Sequence, residues 1–117
     1  MQKKVIFSKL APKAIGPYSQ AIKVDNFLFL SGQIGINHKT QKLANKNLLS
    51  ELKQIMKNIQ AILNEENMSF ENIIKTSVFL KNLNDFSDFN NMYKNYFSII
   101  VMYFIFLYTI TKIFWHF

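Results

Sequence analysis

Residues 11–36 read APKAIGPYSQAIKVDNFLFLSGQIGI, and two apolar runs in this stretch flank the pair Asp25-Asn26. Asp and Asn tolerate a positive φ, so the pattern predicts a β-hairpin with a two-residue turn. Gly32 and Gly35 interrupt the continuation of the second run, which is typical of a β-bulge or of a close approach between backbones. The stretch therefore predicts the central hairpin of a sheet.

Two helices and a further strand are predicted beyond this hairpin. Apolar residues recur at three- and four-residue spacing over residues 48–63, with Asn47 as the candidate N-cap, which indicates an amphipathic helix. Residues 74–81 alternate between apolar and polar side chains, as a half-buried strand does. A second helix is predicted to begin after Asn84 or Asp85.

With a short apolar run at residues 5–7 as an edge strand, the predicted order is β-β-β-α-β-α. The spacing also leaves room for another strand near Ile36. Two helices on one face of an antiparallel or mixed sheet are an α+β architecture. We expect no strand of ordinary composition after the second helix.

The composition excludes several kinds of chemistry. The 117 residues contain no cysteine, which excludes disulfides, a thiol nucleophile and cysteine-based metal sites. All 14 basic residues are lysines, so no side chain can fork bidentately onto a carboxylate or phosphate as arginine does. The net charge is +7, but the lysines occur singly or, at Lys3-Lys4, as one pair, and they form no basic run. Nucleic-acid binding is therefore not expected.

The usual signatures of phosphate loops, metal sites and Ser-His triads are missing from the sequence. His38 lies in a polar turn and His116 near the end of the chain, and neither has an acidic neighbour. The pair Glu65-Glu66, at the end of the first predicted helix, is interpreted as part of a solvated face.

Asn90 lies on the apolar stripe of the second predicted helix, between Phe86 and Tyr93. A buried amide must find partners, because an unsatisfied polar group costs about 1–3 kcal/mol. The side chain either holds a loop backbone or points into a pocket, and the pattern favours the first. Ser31-Gly32, at a strand end, and Tyr18, after a Gly-Pro turn, also have ordinary structural interpretations when each is taken alone.

Taken together, these residues resemble the RidA family (reactive intermediate deaminase A, also called the L-PSP endoribonuclease or translation-inhibitor family). The elements IGPYSQA and LSGQIG within residues 11–36 resemble the N-terminal signature of the family. The stretch IIKTSVFLKNLNDFSDFNNMYKNYF, residues 73–97, resembles its second strand–helix block. The resemblance covers about residues 5–97.

The resemblance implies a chorismate-mutase-like α+β fold, with a β-sheet packed on two helices, and a homotrimer with sites in clefts between subunits. It implies detoxification of reactive intermediates: 2-iminobutanoate, 2-iminopropanoate and related enamines are hydrolysed to 2-keto acids and ammonia. No cofactor or metal is implied. The alternative within the same resemblance is an RNA-binding protein, an endoribonuclease or a translation inhibitor.

The resemblance also assigns site residues. Tyr18, Ser31, Gly32 and Asn90 match family positions that bind the substrate. The family's Pro-x-Arg strand and its later glutamate have no counterpart in SIIVMYFIFLYTITKIFWHF, residues 98–117. The catalytic residues are therefore unassigned, and we expect little deaminase activity from this sequence.

Residues 98–117 are predicted to be a separate apolar tail after a RidA-like domain at residues 1–97. One interpretation is translated non-coding sequence. Another is a membrane anchor, because residues 99–110 are almost uninterrupted apolar and a span needs about 20 residues, which would make the chain a membrane-tethered interaction module. A third is a pair of buried strands, which the lack of turn residues disfavours. No apolar run of signal-peptide length precedes the domain, so we expect a cytosolic protein, with an organelle as the alternative.

Overall fold

The computed structural model describes residues 2–97 and 102–107. The chain consists of two compact units, Met1–Met68 and Ser69–Phe117. Each unit contains strands and one α-helix, so the α+β class predicted from the sequence is confirmed.

The first unit contains an antiparallel sheet in the order β1-β2-β3, formed by β1 (Lys3–Ile6), β2 (Ala21–Val24) and β3 (Phe27–Leu30). Asp25 has a φ of 52°, and Val24 pairs with Phe27 across the two-residue turn. The predicted hairpin is therefore confirmed. The predicted edge strand at residues 5–7 is observed at Lys3–Ile6, so it begins two residues and ends one residue earlier than expected. The strand expected near Ile36 is only an isolated bridge to Leu43.

Helix α1 (Leu48–Asn64) begins as predicted. The side chain of Asn47 accepts a hydrogen bond from the Ser50 amide at 2.8 Å, and the Ser50 hydroxyl accepts one from the Asn47 amide, which forms a capping box. Ile62 of this helix is fully buried in a cluster with strand residues Ile6 and Ala21. α1 therefore covers one face of the sheet.

The second unit contains β4 (Lys75–Leu80), α2 (Phe86–Tyr93) and β5 (Met102–Leu107). β4 and β5 pair in parallel, with Lys75 opposite Met102 and Leu80 opposite Leu107. Parallel neighbours need a long crossover connection, and α2 lies within it.

Helix α2 begins directly after Asp85, as predicted, and Asp85 occupies the N-cap position. The side chain of Asp85 makes no capping hydrogen bond. A 3-10 turn, Leu83–Asp85, precedes the helix, and Asn82 caps that turn by accepting from the Asn84 amide at 3.0 Å. The capping hydrogen bond is displaced because the helix begins as a continuation of this tighter turn.

Strand β5 follows the second helix and consists of the tail residues MYFIFL, so it is not a strand of ordinary composition, and the apolar tail contains at least this one strand. The lack of turn residues argued against a hairpin within the tail, but β5 pairs in parallel with β4 and needs no tight turn. A membrane-spanning helix through residues 99–110 is wrong, because residues 102–107 are a paired strand. Among the described residues, neither α1 nor α2 has the length and apolar content needed to cross a bilayer. The rest of the tail lies outside the described residues, and the division at residue 97 stays a prediction.

Candidate functional site

Tyr18 is held in a tight turn at the surface of the first unit. Its amide donates to the Gly16 oxygen at 2.8 Å, and its hydroxyl oxygen accepts from the Ile15 amide at 3.4 Å. A Cβ atom on Gly16 would lie 3.3 Å from Cε1 of Tyr18, so glycine lets the ring pack against the turn. The side chain is 42% exposed, which leaves the ring accessible to a ligand.

Ser31, at the end of β3, is tied to the segment that follows Tyr18. Its hydroxyl donates to the Ser19 oxygen at 2.6 Å, and its amide donates to the Gln20 oxygen at 3.0 Å. The hydroxyl hydrogen is therefore engaged, which leaves oxygen lone pairs to accept from a ligand. The structure brings Tyr18 and Ser31 into one hydrogen-bonded frame, with Gly32 exposed beside it.

Sequence reasoning missed Gln20, whose side chain is 4% exposed. Its Oε1 accepts from the Ser8 amide at 2.6 Å, and its Nε2 donates to the Pro12 oxygen at 2.8 Å. The available signal was a glutamine directly before the apolar run of β2, where a polar side chain must find partners.

Asn58 of α1 was also missed. Its fully buried amide donates to the oxygens of Ile34 and Ile36, both at 3.0 Å, and accepts from Gln54 at 2.9 Å. A Cβ atom on Gly35 would lie 3.1 Å from the Glu51 oxygen, so the predicted close backbone approach is confirmed there. The loop that follows Ser31-Gly32 is therefore fastened to α1. The sequence signal for Asn58 was an amide on the apolar stripe of α1.

Asn90 lies on α2, in the Ser69–Phe117 unit, whereas the other three predicted site residues belong to Met1–Met68. Its side chain is half-buried. On the same helix, the rings of Phe89 and Tyr93 stack at 4.9 Å, and the Tyr93 hydroxyl donates to Thr76 Oγ1 at 2.6 Å. Asn90 thus projects from a helix fixed to β4 by a buried tyrosine.

The interpretation of Glu65-Glu66 as a solvated pair is right for Glu65 and wrong for Glu66. Glu66 accepts from Lys23 Nζ at 2.7 Å and from Lys4 Nζ at 2.9 Å, and its side chain is only 9% exposed. Hydrogen bonds from Lys23 and then Lys4 hold the pKa of the Glu66 carboxyl below its usual value. Lys4 and Lys23 are register partners on β1 and β2, so Glu66 offsets the repulsion between two like charges.

Within residues 2–97 and 102–107, no three His, Cys, Asp or Glu side chains gather as a metal site would require. His116 lies outside the described residues. What the described frame offers is neutral hydrogen-bonding groups around Tyr18 and Ser31.

Residues 8–103 match the family model described as Endoribonuclease L-PSP. The chain belongs to this family, which is also called the RidA family and is the one that the motifs IGPYSQA and LSGQIG resemble. The match continues past residue 97 into β5, so the family likeness includes part of the apolar tail.

Two curated relatives illustrate the range of the L-PSP endoribonuclease (RidA) family. A RutC family protein of Pyrococcus abyssi is 47% identical over 98 residues, which cover 84% of this chain and 77% of the relative. The 2-iminobutanoate/2-iminopropanoate deaminase of Mus musculus is 43% identical over 96 residues, 82% of this chain and 71% of the enzyme.

Solved structures of RidA-family proteins agree with the fold. A Rid family protein of unknown function from Yersinia pestis superposes with a TM-score of 0.88 at 38% identity, over 92% of this chain and 87% of that one. The E. coli protein TdcF, crystallised with bound serine, superposes with a TM-score of 0.84 at 30% identity, over 90% and 85%. The RidA-type fold is therefore confirmed.

Proposed function

We propose that this chain is a small-molecule imine deaminase that hydrolyses 2-iminopropanoate and 2-iminobutanoate to the 2-keto acids and ammonia. The observation that carries the proposal is the Tyr18–Ser31 frame, which presents neutral hydrogen-bonding groups and an open glycine. Its elements IGPYSQA and LSGQIG lie within the match to the Endoribonuclease L-PSP family model. The 43% identity to the mouse deaminase supports the same reaction.

The proposed chemistry places few demands on the protein. An imine carbon is already electrophilic, so a water oxygen adds to it, the carbon–nitrogen bond breaks, and the nitrogen leaves as ammonia with protons from water. The site has to position the imine and the water and to stabilise the charge that develops. Ser31 would accept a hydrogen bond from the imine N–H through its oxygen lone pairs. Tyr18 would line the binding site, and Gly32, which has no side chain, would leave room for the carbon chain of the substrate.

Asn90, on α2 of the other unit, is the remaining residue that the family resemblance assigns to substrate binding, where it would act as a hydrogen-bonding amide. None of the 117 residues is an arginine, so a substrate carboxylate would be held without a bidentate fork. Removing one preorganised hydrogen-bond donor from an oxyanion hole costs about 10²–10³ in kcat, and we expect a loss of similar size when the arginine is missing. We therefore expect slow turnover.

Ammonia release from 2-iminopropanoate generated in situ tests the reaction. We expect purified protein to exceed spontaneous hydrolysis but to have a kcat/KM at least about 100-fold below that of the mouse deaminase. A rate equal to spontaneous hydrolysis would refute the deaminase. A kcat/KM equal to that of the mouse enzyme would refute the expectation that the missing arginine slows turnover.

We also propose that the chain forms a homotrimer. The sheet face opposite α1 exposes Val5 (63%), Phe27 (56%) and Phe29 (61%). Val5 pairs with Ile22 and Ile22 with Phe29, so an apolar row crosses all three strands. An exposed apolar surface of this kind usually marks a protein–protein contact. Light scattering should give three times the 13.8 kDa chain mass, and a monomer mass would contradict the proposal.

RNA binding is the second candidate, supported by the net charge of +7 and by the name of the family model. Lys53 and Lys57 are exposed one turn apart on α1. Electrostatic binding weakens steeply as salt rises. A single-stranded RNA probe bound at low salt and released at higher salt would support this candidate, whereas no binding at low salt would remove it.

A further inference from the structure

The side chain of Gln20 organises the loop that leads to Tyr18. Its Oε1 accepts from the Ser8 amide at 2.6 Å. Its Nε2 faces three main-chain oxygens, those of Ser8 at 3.1 Å, Ala11 at 3.3 Å and Pro12 at 2.8 Å. Because the side chain is 4% exposed, water cannot replace these partners.

The main chain around Gln20 fixes the other side of the candidate site. The Gln20 oxygen accepts from the Ser31 amide at 3.0 Å, and the adjacent Ser19 oxygen accepts from the Ser31 hydroxyl at 2.6 Å. One residue therefore joins three segments: the loop of residues 8–12, the turn that carries Tyr18, and the end of β3 that carries Ser31.

We propose that Gln20 is a positioning residue of the imine site, which sets the separation of Tyr18 and Ser31 without touching the substrate. The inference rests on the proposed function. All of the polar atoms of its side chain are engaged within the protein, so it has none to offer a ligand. An amide is required because this environment needs an acceptor and a donor at the tip of one side chain. Ionised glutamate lacks the donor, and methionine lacks the donor and offers only a weak sulfur acceptor.

A positioning role makes a different prediction from a purely structural one. Displacement of binding groups by about 1 Å can cost up to about a hundredfold in rate even when the protein stays folded. The loss should appear mainly in KM, because Tyr18 and Ser31 are assigned to substrate binding. A residue that only stabilises the fold would lower the folded fraction and leave the KM of the folded protein unchanged.

The experiment compares Gln20→Glu and Gln20→Met with Ile62→Ala in the full-length protein. Ile62 is a fully buried core residue of the same unit and has no hydrogen bond to the site, so it controls for lost stability. For each variant, kcat and KM for 2-iminopropanoate are measured well below its melting temperature. Amide hydrogen exchange at Ser31 is measured in parallel as a readout that does not depend on activity.

We expect both Gln20 variants to raise KM by about tenfold or more, with a smaller change in kcat, while Ile62→Ala keeps KM within about twofold. Exchange at Ser31 should accelerate by about tenfold or more in the Gln20 variants relative to Ile62→Ala. Equal KM values and equal Ser31 exchange in all three variants would overturn the inference.

Failure of the proposed function is distinguishable from failure of this inference. If the wild-type protein turns over no imine, the deaminase falls, and Ser31 exchange alone decides the role of Gln20 in holding the frame. If the wild type is active and the Gln20 variants keep its KM, the deaminase stands and the positioning role of Gln20 falls. Should Gln20→Met fail to fold, Gln20→Glu, which keeps the acceptor for the Ser8 amide, carries the comparison.

Discussion

Ser31 donates its hydroxyl hydrogen to the main-chain oxygen of Ser19 across 2.6 Å, which joins the end of β3 to the residue that follows Tyr18. The bond turns a strand end and a loop, which are twelve residues apart in sequence, into one surface. A hydroxyl whose hydrogen is engaged in this way keeps its oxygen lone pairs for accepting from a ligand, which is the role proposed for Ser31.

Ser31→Ala should therefore affect both stability and activity. Loss of the hydrogen bond to the Ser19 oxygen should lower the free energy of unfolding by about 1 kcal/mol. Loss of the oriented oxygen should lower kcat/KM for 2-iminopropanoate by about tenfold. Urea unfolding and ammonia release measure the two effects. Ser87→Ala, at an exposed serine on α2, is the matched control and should change neither.

Asn58→Ala should be one of the more destabilising single changes in the first unit. It removes the Asn58 donor from the oxygens of Ile34 and Ile36. The Ile34 oxygen keeps the Ile36 amide at 2.8 Å, so its lost bond costs about 1 kcal/mol, whereas the unsatisfied Ile36 oxygen costs about 1–3 kcal/mol. We expect a total loss of about 2–4 kcal/mol in the free energy of unfolding. Asn64→Ala, an exposed amide at the end of the same helix, is the control. A loss below about 0.5 kcal/mol for Asn58→Ala would show that other groups satisfy these oxygens.

The lowered pKa of the Glu66 carboxyl predicts that the free energy of unfolding depends on pH. Its pKa is lowered in the folded protein by the hydrogen bonds from Lys23 and Lys4, so the folded state binds its proton more weakly than the unfolded state does. Its contribution is present above the ordinary pKa near 4.5 and is lost as the pH falls through the lower folded value.

The free energy of unfolding of Glu66→Gln should therefore fall below that of the wild type at neutral pH and converge with it in strong acid. Chemical denaturation at a series of pH values measures the difference, with Glu65→Gln as the exposed neighbouring control. A difference that stays constant from neutral to acidic pH would contradict the ion cluster as its source.

Phe29→Lys should dissociate the proposed trimer. It places a charge at the β3 end of the apolar row Val5-Ile22-Phe29, where a second copy would have to bury it without a partner. Light scattering should report a monomer for this variant. Leu83→Lys, at an apolar side chain with a similar exposure of 63% in the other unit, should keep the wild-type mass. If both variants keep that mass, this sheet face is not the contact.

Local chemistry made much of the fold predictable. Asp25 marked the hairpin because few residues accept its φ of 52°, and Asn47 marked the start of α1 because a helix needs an acceptor for its first amides. The features that were missed depend on contacts between distant parts of the chain. Glu66 meets Lys4 across 62 positions, and β5 pairs with β4 through a parallel crossover. Neither leaves a periodic signal in its own segment.

The same distinction applies to the candidate site. Tyr18, Ser31 and Gly32 were predicted because their motifs resemble the family, not because any pattern requires them. Gln20, which ties two of them together, was missed because its four partners are main-chain groups that no side-chain motif reveals.

The most direct test of the proposed site is an NMR titration of the protein with 2-oxobutanoate, the keto-acid product. The proposal predicts saturable shifts that are concentrated at the amides of Tyr18, Ser31 and Gly32. No saturable shift, or shifts that exclude these three residues, would contradict the account.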